Sequence, residues 1–344
     1  MKNGRQFRVM ATSIFTFCVI IVCMVKTSLH TNSCTDNCTN LTIQRTVKIQ
    51  KLQYKRNITI QSKYPTVLTQ SYKINNKDIC KNISKLSCIV MVYSSPDHFE
   101  RREALRKTFL NSTFYKQETI RAIFLLGEVY NSSLQHTIER ENLVFQDIIQ
   151  GQFIDSYRNL TYKGVLGFKW ISENCPNAEF AAKIDDDVIV NFFKIFQHLS
   201  FIKFKRRFLM CDKVNPNLYP IQRDTNEKWN VHNDVFKRML RYPYTSCLGP
   251  AVFISRDLIP ILYTTASMSP FFWIEDIYLF GILPSKIPAV VHHGINQNVS
   301  YNYQYTADCF GKHRKECGLV VGMPDPEDNG ATVKIWNSLI KTIH

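Results

Sequence analysis

Five short apolar runs, Cys88–Tyr93, Ala122–Leu126, Phe180–Ile184, Phe208–Cys211 and Ala251–Ile254, are separated by longer stretches of helical texture. A strand made of consecutive apolar residues has no polar face to offer water, so each run needs cover on both sides. Alternation of such strands with helices is satisfied by an α/β domain with a mostly parallel central sheet. Sheets of that kind bind ligands at the carboxyl ends of their strands. Two segments that follow strands are therefore of interest: the basic stretch Glu100–Phe109 and the acidic triplet Asp185-Asp186-Asp187. At 344 residues, 45% of them hydrophobic and 12% aromatic, the chain can bury a sizeable core, and disorder throughout is excluded.

The formal charge of +15 is compatible with nucleic acid, an anionic membrane or a phosphate-bearing substrate, so topology has to choose among them. Lys2, Arg5 and Arg8 precede an uncharged apolar run over residues 9–25, short for a membrane span but suited to the thinner membranes of the early secretory pathway. Basic residues ahead of the run keep a tail of residues 1–8 cytosolic and put the rest of the chain in the lumen, as a single-pass type II anchor. A cleaved signal peptide would need a small-residue cleavage site, and Thr27-Ser28 fits that poorly. Sequons at Asn37, Asn40, Asn57, Asn82, Asn111, Asn131, Asn159 and Asn298 agree with a luminal chain. That topology sets nucleic acid aside and points to Golgi or endoplasmic reticulum.

Residues 26–84 are polar, carry four of the sequons and show no sustained apolar period, which reads as a stem ahead of a catalytic domain over 85–344. Of eleven cysteines, Cys18 and Cys23 lie in the apolar run, leaving nine in an oxidising compartment. An odd number leaves at least one unpaired or intermolecular, compatible with a homo- or hetero-oligomer. No cysteine pair has zinc-site spacing.

Three adjacent carboxylates at a strand end repel one another unless a cation or hydrogen-bond donors compensate. A hard divalent ion, Mn²⁺ or Mg²⁺, held by one or two carboxylates with phosphate oxygens and water completing its shell, is one answer; a solvated acidic turn is the plainer one. The pair Glu275-Asp276 follows the aromatic stretch Phe271-Phe272-Trp273. A carboxylate beside apolar walls can take a proton from a substrate hydroxyl, whereas acidic residues at a helix N-terminus have a purely structural use. Arg101, Arg102 and Arg106 open a helix-like segment that could present guanidinium groups to phosphate or simply form a solvated face. Between Leu160 and Ile171, Tyr162, Val165, Leu166 and Trp170 share one helical face, as core-packing residues do.

Several separated segments, in order, resemble the beta-1,3-galactosyltransferase family, which includes beta-1,3-N-acetylglucosaminyl- and N-acetylgalactosaminyltransferases. Arg102–Phe109 is similar to its Arg-rich helix start, and Phe124-Leu125-Leu126-Gly127 to its second strand. Residues 155–163, Asp-Ser-Tyr-Arg-Asn-Leu-Thr-Tyr-Lys, resemble its Asp-x-Tyr-x-Asn-Leu-Thr-x-Lys signature. Lys183–Asn191 is similar to its Lys-x-Asp-Asp-Asp-Val-x-Val-Asn core, and Glu275-Asp276-Ile277-Tyr278 to its later acidic motif. The resemblance implies a GT-A fold, a UDP-sugar donor, an acceptor glycan and a Mn²⁺ ion bridging the diphosphate. It implies Asp187 as principal metal ligand, Asp185 shared between metal and nucleotide, Asp186 as support for the loop, and Lys183 and Asp186 among the residues of the nucleotide site. Arg102 and Arg106 would contact the nucleotide, and His292 or His293 would complete the metal shell. Asp276, with Glu275 as the neighbouring candidate, would be the base of an inverting transfer that leaves a beta linkage.

The chain also departs from the pattern. Phe109 stands where the family usually has Trp, and Tyr242–Ala251 replaces a more glycine-rich run, leaving the identity of both sugars open. That divergence motivates an alternative, a catalytically silent partner or chaperone of a related transferase, against which both acidic motifs argue. Asn159 lies in a sequon inside the signature, at a helix start, where a glycan has little room.

Overall fold

The structure is a computed structural model that describes residues 71–202, 206–313 and 316–341. The expected anchor at 9–25 and most of the expected stem lie outside the described residues, and among the described residues no helix is long and apolar enough to cross a membrane.

Strands β1 (Tyr72–Ile74), β2 (Leu86–Tyr93), β3 (Ile120–Glu128), β4 (Ile148–Ile154), β5 (Ala178–Asp185), β7 (Phe208–Val214), β8 (Ser246–Ser255) and β9 (Val291–Gly294) form one sheet in the order β1-β4-β3-β2-β5-β8-β7-β9. β6 (Ile189–Val190), β10 (Val299–Ser300) and β11 (Val321–Gly322) form a small second sheet. All five apolar runs are strands of the large sheet. The β4-β3-β2-β5 block is parallel, as is the β7-β9 pair, whereas β8 runs antiparallel to both of its neighbours. The expected mostly parallel sheet therefore carries two reversed strands, β8 inside it and β1 at its edge, which apolar content alone does not reveal.

Every residue of β2 is buried, and its side chains divide by parity. Ile89, Met91 and Tyr93 enter one core, and Cys88, Val90 and Val92 enter the other. Helix α3 (Leu160–Asn174) and helix α5 (Ile259–Ser267) cover the first face through Val165, Leu166, Trp170 and Leu262. Helices α1 (Phe99–Lys107), α4 (Phe192–Phe201) and α6 (Ala331–Ile340) cover the second through Leu105, Phe192, Ile195 and Trp336. Each fully buried Val, Leu, Ile or Phe contributes about 1.5–3 kcal/mol. The helix expected from Leu160 is thus a core element, held at both ends of its apolar face.

Two elements escaped the apolar pattern. In β4, Gln150, Gly151 and Gln152 interrupt the run, yet Gln150 is fully buried because its amide is satisfied by the Gly127 carbonyl at 2.8 Å and by Gln135 at 2.9 Å in both directions. Residues 71–84, assigned above to the stem, join the domain. Tyr72 and Ile74 pair with β4, Asn75 accepts from Trp170 Nε1 at 2.9 Å, and Cys80 is disulfide-bonded to Cys175. An edge strand held mainly by backbone hydrogen bonds has no apolar signature to read. Cys211–Cys247 and Cys309–Cys317 are also bonded, and Cys88, buried in β2, is a free thiol.

The connections place the functional edge. From β2 the chain moves to β3 and β4 on one side, then returns to β5 on the other. The crevice at the carboxyl ends of β2 and β5 is thus a topological switch point, where ligands of open α/β sheets bind.

Candidate active site

At that crevice Tyr93 pairs with Asp185, and the acidic triplet begins as β5 ends. The three carboxylates diverge. Asp186 turns back into the protein, where Ser94 Oγ donates to it at 2.7 Å, His98 Nδ1 lies at 2.8 Å and Arg101 Nη1 donates at 3.2 Å. Its backbone N–H donates to the Tyr93 carbonyl at 3.1 Å. Burial works against its charge, but the hydrogen bonds from His98 and Ser94 outweigh that and hold its carboxyl below the ordinary range. Asp186 therefore fastens the loop. Asp187 remains half exposed, with Arg101 3.8 Å away, in a cleft of about 680 Å³. The start of α1, Asp186-Asp187, Tyr301, Tyr303 and residues Met323–Asn329 line this cleft. A larger hollow of about 900 Å³ is lined by Ile120 and Asp147 at the amino-terminal edge of β3 and β4, the wrong end for strand-end chemistry.

Lys183 joins the two acidic motifs. Its ammonium lies 2.9 Å from Asp185 Oδ1 and 2.9 Å from Glu275 Oε1, donates to the Gly249 carbonyl at 2.7 Å, and sits 4.4 Å from the centre of the Tyr93 ring. With 1% of its side chain exposed, burial pulls its pKa down, yet the charges of Asp185 and Glu275 prevail and keep it an ammonium. Burial pushes Asp185 up to about 7, against the pull of Lys183. Burial and the adjacent Asp276 charge push Glu275 well above the usual carboxylate range, against the pull of Lys183.

Asp276 sits on the far side of the same network. Its Oδ2 accepts from the Gly249 N–H at 3.0 Å, and its buried Oδ1 has no hydrogen-bond partner among the described residues. A Cβ at position 249 would overlap this carboxylate, so only glycine lets the β8 backbone lie flat against it. An unpaired buried oxygen is costly unless a ligand uses it, and a substrate hydroxyl satisfies it by donating its proton.

The basic segment needs correcting. Arg102 and Arg106 face the core rather than the cleft, alongside Leu105 on the inner side of α1. Arg102 is fully buried and donates to Glu141 at 2.7 and 2.9 Å, to Ser94 Oγ at 3.1 Å and to the Ser95 carbonyl at 2.6 Å. Arg106 forms two 2.8 Å hydrogen bonds with Asp147 and one with Glu141, between the rings of Phe124 and Phe145. Both are structural, and Arg102 shapes the turn that presents Ser94 to Asp186. Arg101 and His98 are the side chains of this segment that reach the triplet. Lys163 of the signature is likewise structural: it is buried, pairs with Asp155 at 2.9 Å and donates to the Ser94 carbonyl at 2.7 Å.

His293 also needs correcting. It pairs with Met210 on β9, three strands from β5, hence about 14 Å away at an inter-strand spacing of about 4.8 Å. Its ring packs 5.9 Å from Phe208, and His292 Nε2 lies 3.2 Å from the Phe280 carbonyl. Among the described residues no three His, Cys, Asp or Glu side chains converge as a metal cage. What the strand end offers instead is an oxygen-only pair, Asp187 open to the cleft and Asp185 behind it. That suits a hard cation whose remaining positions are filled by phosphate and water, and does not suit a His-containing shell.

A family model described as Galactosyltransferase matches residues 100–293, more than half of the chain. Beta-1,3-galactosyltransferase 1 of Mus musculus is 29% identical over 278 residues, covering 79% of this chain and 79% of its own length. Lactosylceramide 1,3-N-acetyl-beta-D-glucosaminyltransferase A of Danio rerio is 29% identical over 217 residues, covering 60% of this chain and 56% of its own length. Among solved structures, the galactosyltransferase LgtC in complex with donor and acceptor sugar analogs aligns with 74% of this chain and 95% of its own at 10% identity and a TM-score of 0.37.

Proposed function

Starting from the fact that the chain belongs to the galactosyltransferase family and is a hexosyltransferase, we propose that it is a metal-dependent, inverting enzyme of GT-A architecture. It moves galactose or an N-acetylhexosamine from a UDP-sugar to a hydroxyl of an acceptor glycan in beta-1,3 linkage. The observation that carries this reading is Lys183, which ties the strand-end triplet to Glu275-Asp276, more than eighty residues later in the chain, in a single site.

The donor's diphosphate lies in the cleft beside Asp187. Mn²⁺ or Mg²⁺, held by Asp187 with Asp185 behind it, would supply positive charge to the leaving diphosphate. Arg101, at the mouth of the cleft, adds a second positive charge. The acceptor hydroxyl donates to Asp276 Oδ1. As the acceptor oxygen forms its bond to the anomeric carbon, the bond from that carbon to the phosphate oxygen breaks on the opposite face. Its electron pair leaves on UDP, the acceptor proton passes to Asp276, and the configuration inverts. Lys183 and the Gly249 N–H hold the two carboxylates of the acidic pair in position.

The chain works in the Golgi lumen as a type II membrane protein anchored by residues 9–25. Three disulfides among the described residues support an oxidising compartment. Sequon use provides a check. The Asn159 amide nitrogen donates to the Ile154 carbonyl at 2.8 Å and that of Asn298 to the Gly318 carbonyl at 2.7 Å, whereas Asn82 and Asn131 are exposed. The folded protein should carry glycans on Asn82 and Asn131 and none on Asn159 or Asn298, read by peptide mapping after enzymatic deglycosylation in heavy-oxygen water. A glycan found on Asn159 would contradict the placement of its side chain.

The deciding test is UDP release by the full-length chain in detergent with UDP-galactose, UDP-N-acetylglucosamine and UDP-N-acetylgalactosamine, with and without Mn²⁺. Metal-dependent release that rises with a sugar acceptor is expected for at least one donor. A folded, glycosylated chain that is inert with every donor and a broad acceptor panel would overturn the reading.

A further inference from the structure

Beside Asp276 lies an aromatic shelf that the reaction leaves unused. The turn Tyr157–Asn159 ahead of α3 and the segment between β7 and β8 meet there, with Trp229 Nε1 donating to Tyr157 Oη at 2.6 Å. Both rings are exposed, Tyr157 at 42% and Trp229 at 41%. Trp273, two residues before Glu275, is linked to the shelf through Arg158, the residue after Tyr157. Burial raises the Tyr157 phenol, and the charges of Asp276, Glu275 and Asp185 act on it in the same direction, which puts the shelf within electrostatic reach of the site.

Two cations lie on these rings. The Arg158 guanidinium is 3.9 Å from the centre of the Trp273 ring, and Lys228 Nζ is 3.9 Å from that of Tyr157 and 5.8 Å from that of Trp229. Both are exposed, and neither has a carboxylate partner among the described residues. A guanidinium held over an indole face keeps N–H donors free for the fork that matches a carboxylate or sulfate. Ring faces, in turn, suit the C–H faces of a sugar. Asp187 and Asp276 would repel an anionic acceptor unless cations answered it. Cations at the outer end of the shelf hold an anionic group away from those carboxylates while a neutral hydroxyl points inward.

We propose that Tyr157, Trp229 and Trp273 form the acceptor platform, and that Arg158 and Lys228 receive an anionic substituent, a carboxylate or sulfate ester, carried by the acceptor glycan beside the sugar being extended. This rests on the reading of Asp276 as the base that faces the acceptor.

The test compares matched oligosaccharides, neutral, 6-O-sulfated and sialylated, with the full-length chain in detergent. Transfer is followed as kcat/KM, and binding separately by saturation-transfer NMR in the presence of UDP. One anionic series, sulfated or sialylated, should exceed its neutral counterpart about tenfold in kcat/KM, equivalent to about 1.4 kcal/mol; which series does so identifies the group. The preference should shrink in about 0.5 M salt. The double variant R158Q/K228Q should bring the anionic-to-neutral ratio near one in both readouts, and Lys228→Arg should preserve it. A ratio near one in the wild type, or a ratio the double variant leaves unchanged, overturns the proposal. Transfer without anionic preference sinks this inference alone. Anionic binding that depends on Arg158 and Lys228 with no transfer to any acceptor keeps the platform and sinks the transferase mechanism.

Discussion

Replacing Asp276 by Asn is expected to lower kcat by about 10³-fold, within the range that general-base catalysis supplies, while UDP affinity stays within about twofold. Asn keeps the shape of the side chain and can still accept from the Gly249 N–H, so the β8 backbone has no reason to move. What it loses is a basic oxygen at the position where Oδ1 lies buried and unpartnered. In the proposed reaction UDP would lie on the other side of Lys183, beside Asp187, and should not sense the change. Glu275→Gln separates the two members of the pair. Its Oε1 faces Lys183, so the substitution should weaken the tie between motifs and reduce rate modestly without removing the base. A Glu275→Gln variant as inactive as a genuine base deletion, beside an active Asp276→Asn, would move the base by one residue. Single-turnover transfer together with calorimetric UDP binding reads both effects.

Asp187→Ala is expected to remove turnover by a different route, lowering kcat/KM by about 10³-fold or more through loss of metal-dependent donor binding. Asp187 is the member of the triplet that stays open to the cleft, while Asp186 is consumed by Ser94, His98 and Arg101 and Asp185 by Lys183. Calorimetry with UDP, with Mn²⁺ and after chelation, checks this independently of transfer. The wild type should bind more tightly with the ion present, and the variant should bind alike in both conditions. Wild-type turnover in Asp187→Ala would remove the metal assignment. Thermal unfolding of the variant should be close to wild type, since a half-exposed carboxylate makes little contribution to folding.

Asp186 shows how far a motif reads on its own. Three consecutive acidic residues after an apolar strand announce a strand-end site, but their side chains leave the strand in different directions, and only the partners across the crevice decide which one remains free. Ser94, just after β2, and His98, just before α1, reach Asp186 from some ninety residues earlier and turn it into the protein. Arg102 and Arg106 illustrate the opposite case. Guanidinium groups in a basic segment suggest phosphate, yet Glu141 and Asp147 bury both of them from below. An arginine on the inner stripe of a helix looks the same in sequence as one that faces a ligand until the acidic residues that meet it are known.

The sequence by itself determined five of the sheet's buried strands, the helix beginning at Leu160, the acidic motifs and the family to which they belong, because burial on both faces and strand-end chemistry leave local residue patterns. Only the tertiary structure decided that β8 is reversed, that β1 adds to an edge, that His293 lies three strands away from the triplet, and that Lys183 serves both acidic motifs. Each of those facts is a pairing between segments distant in the chain. Backbone hydrogen bonds pair strands whatever their side chains, and a buried lysine chooses its carboxylates by position in space, so neither leaves a mark on the local pattern.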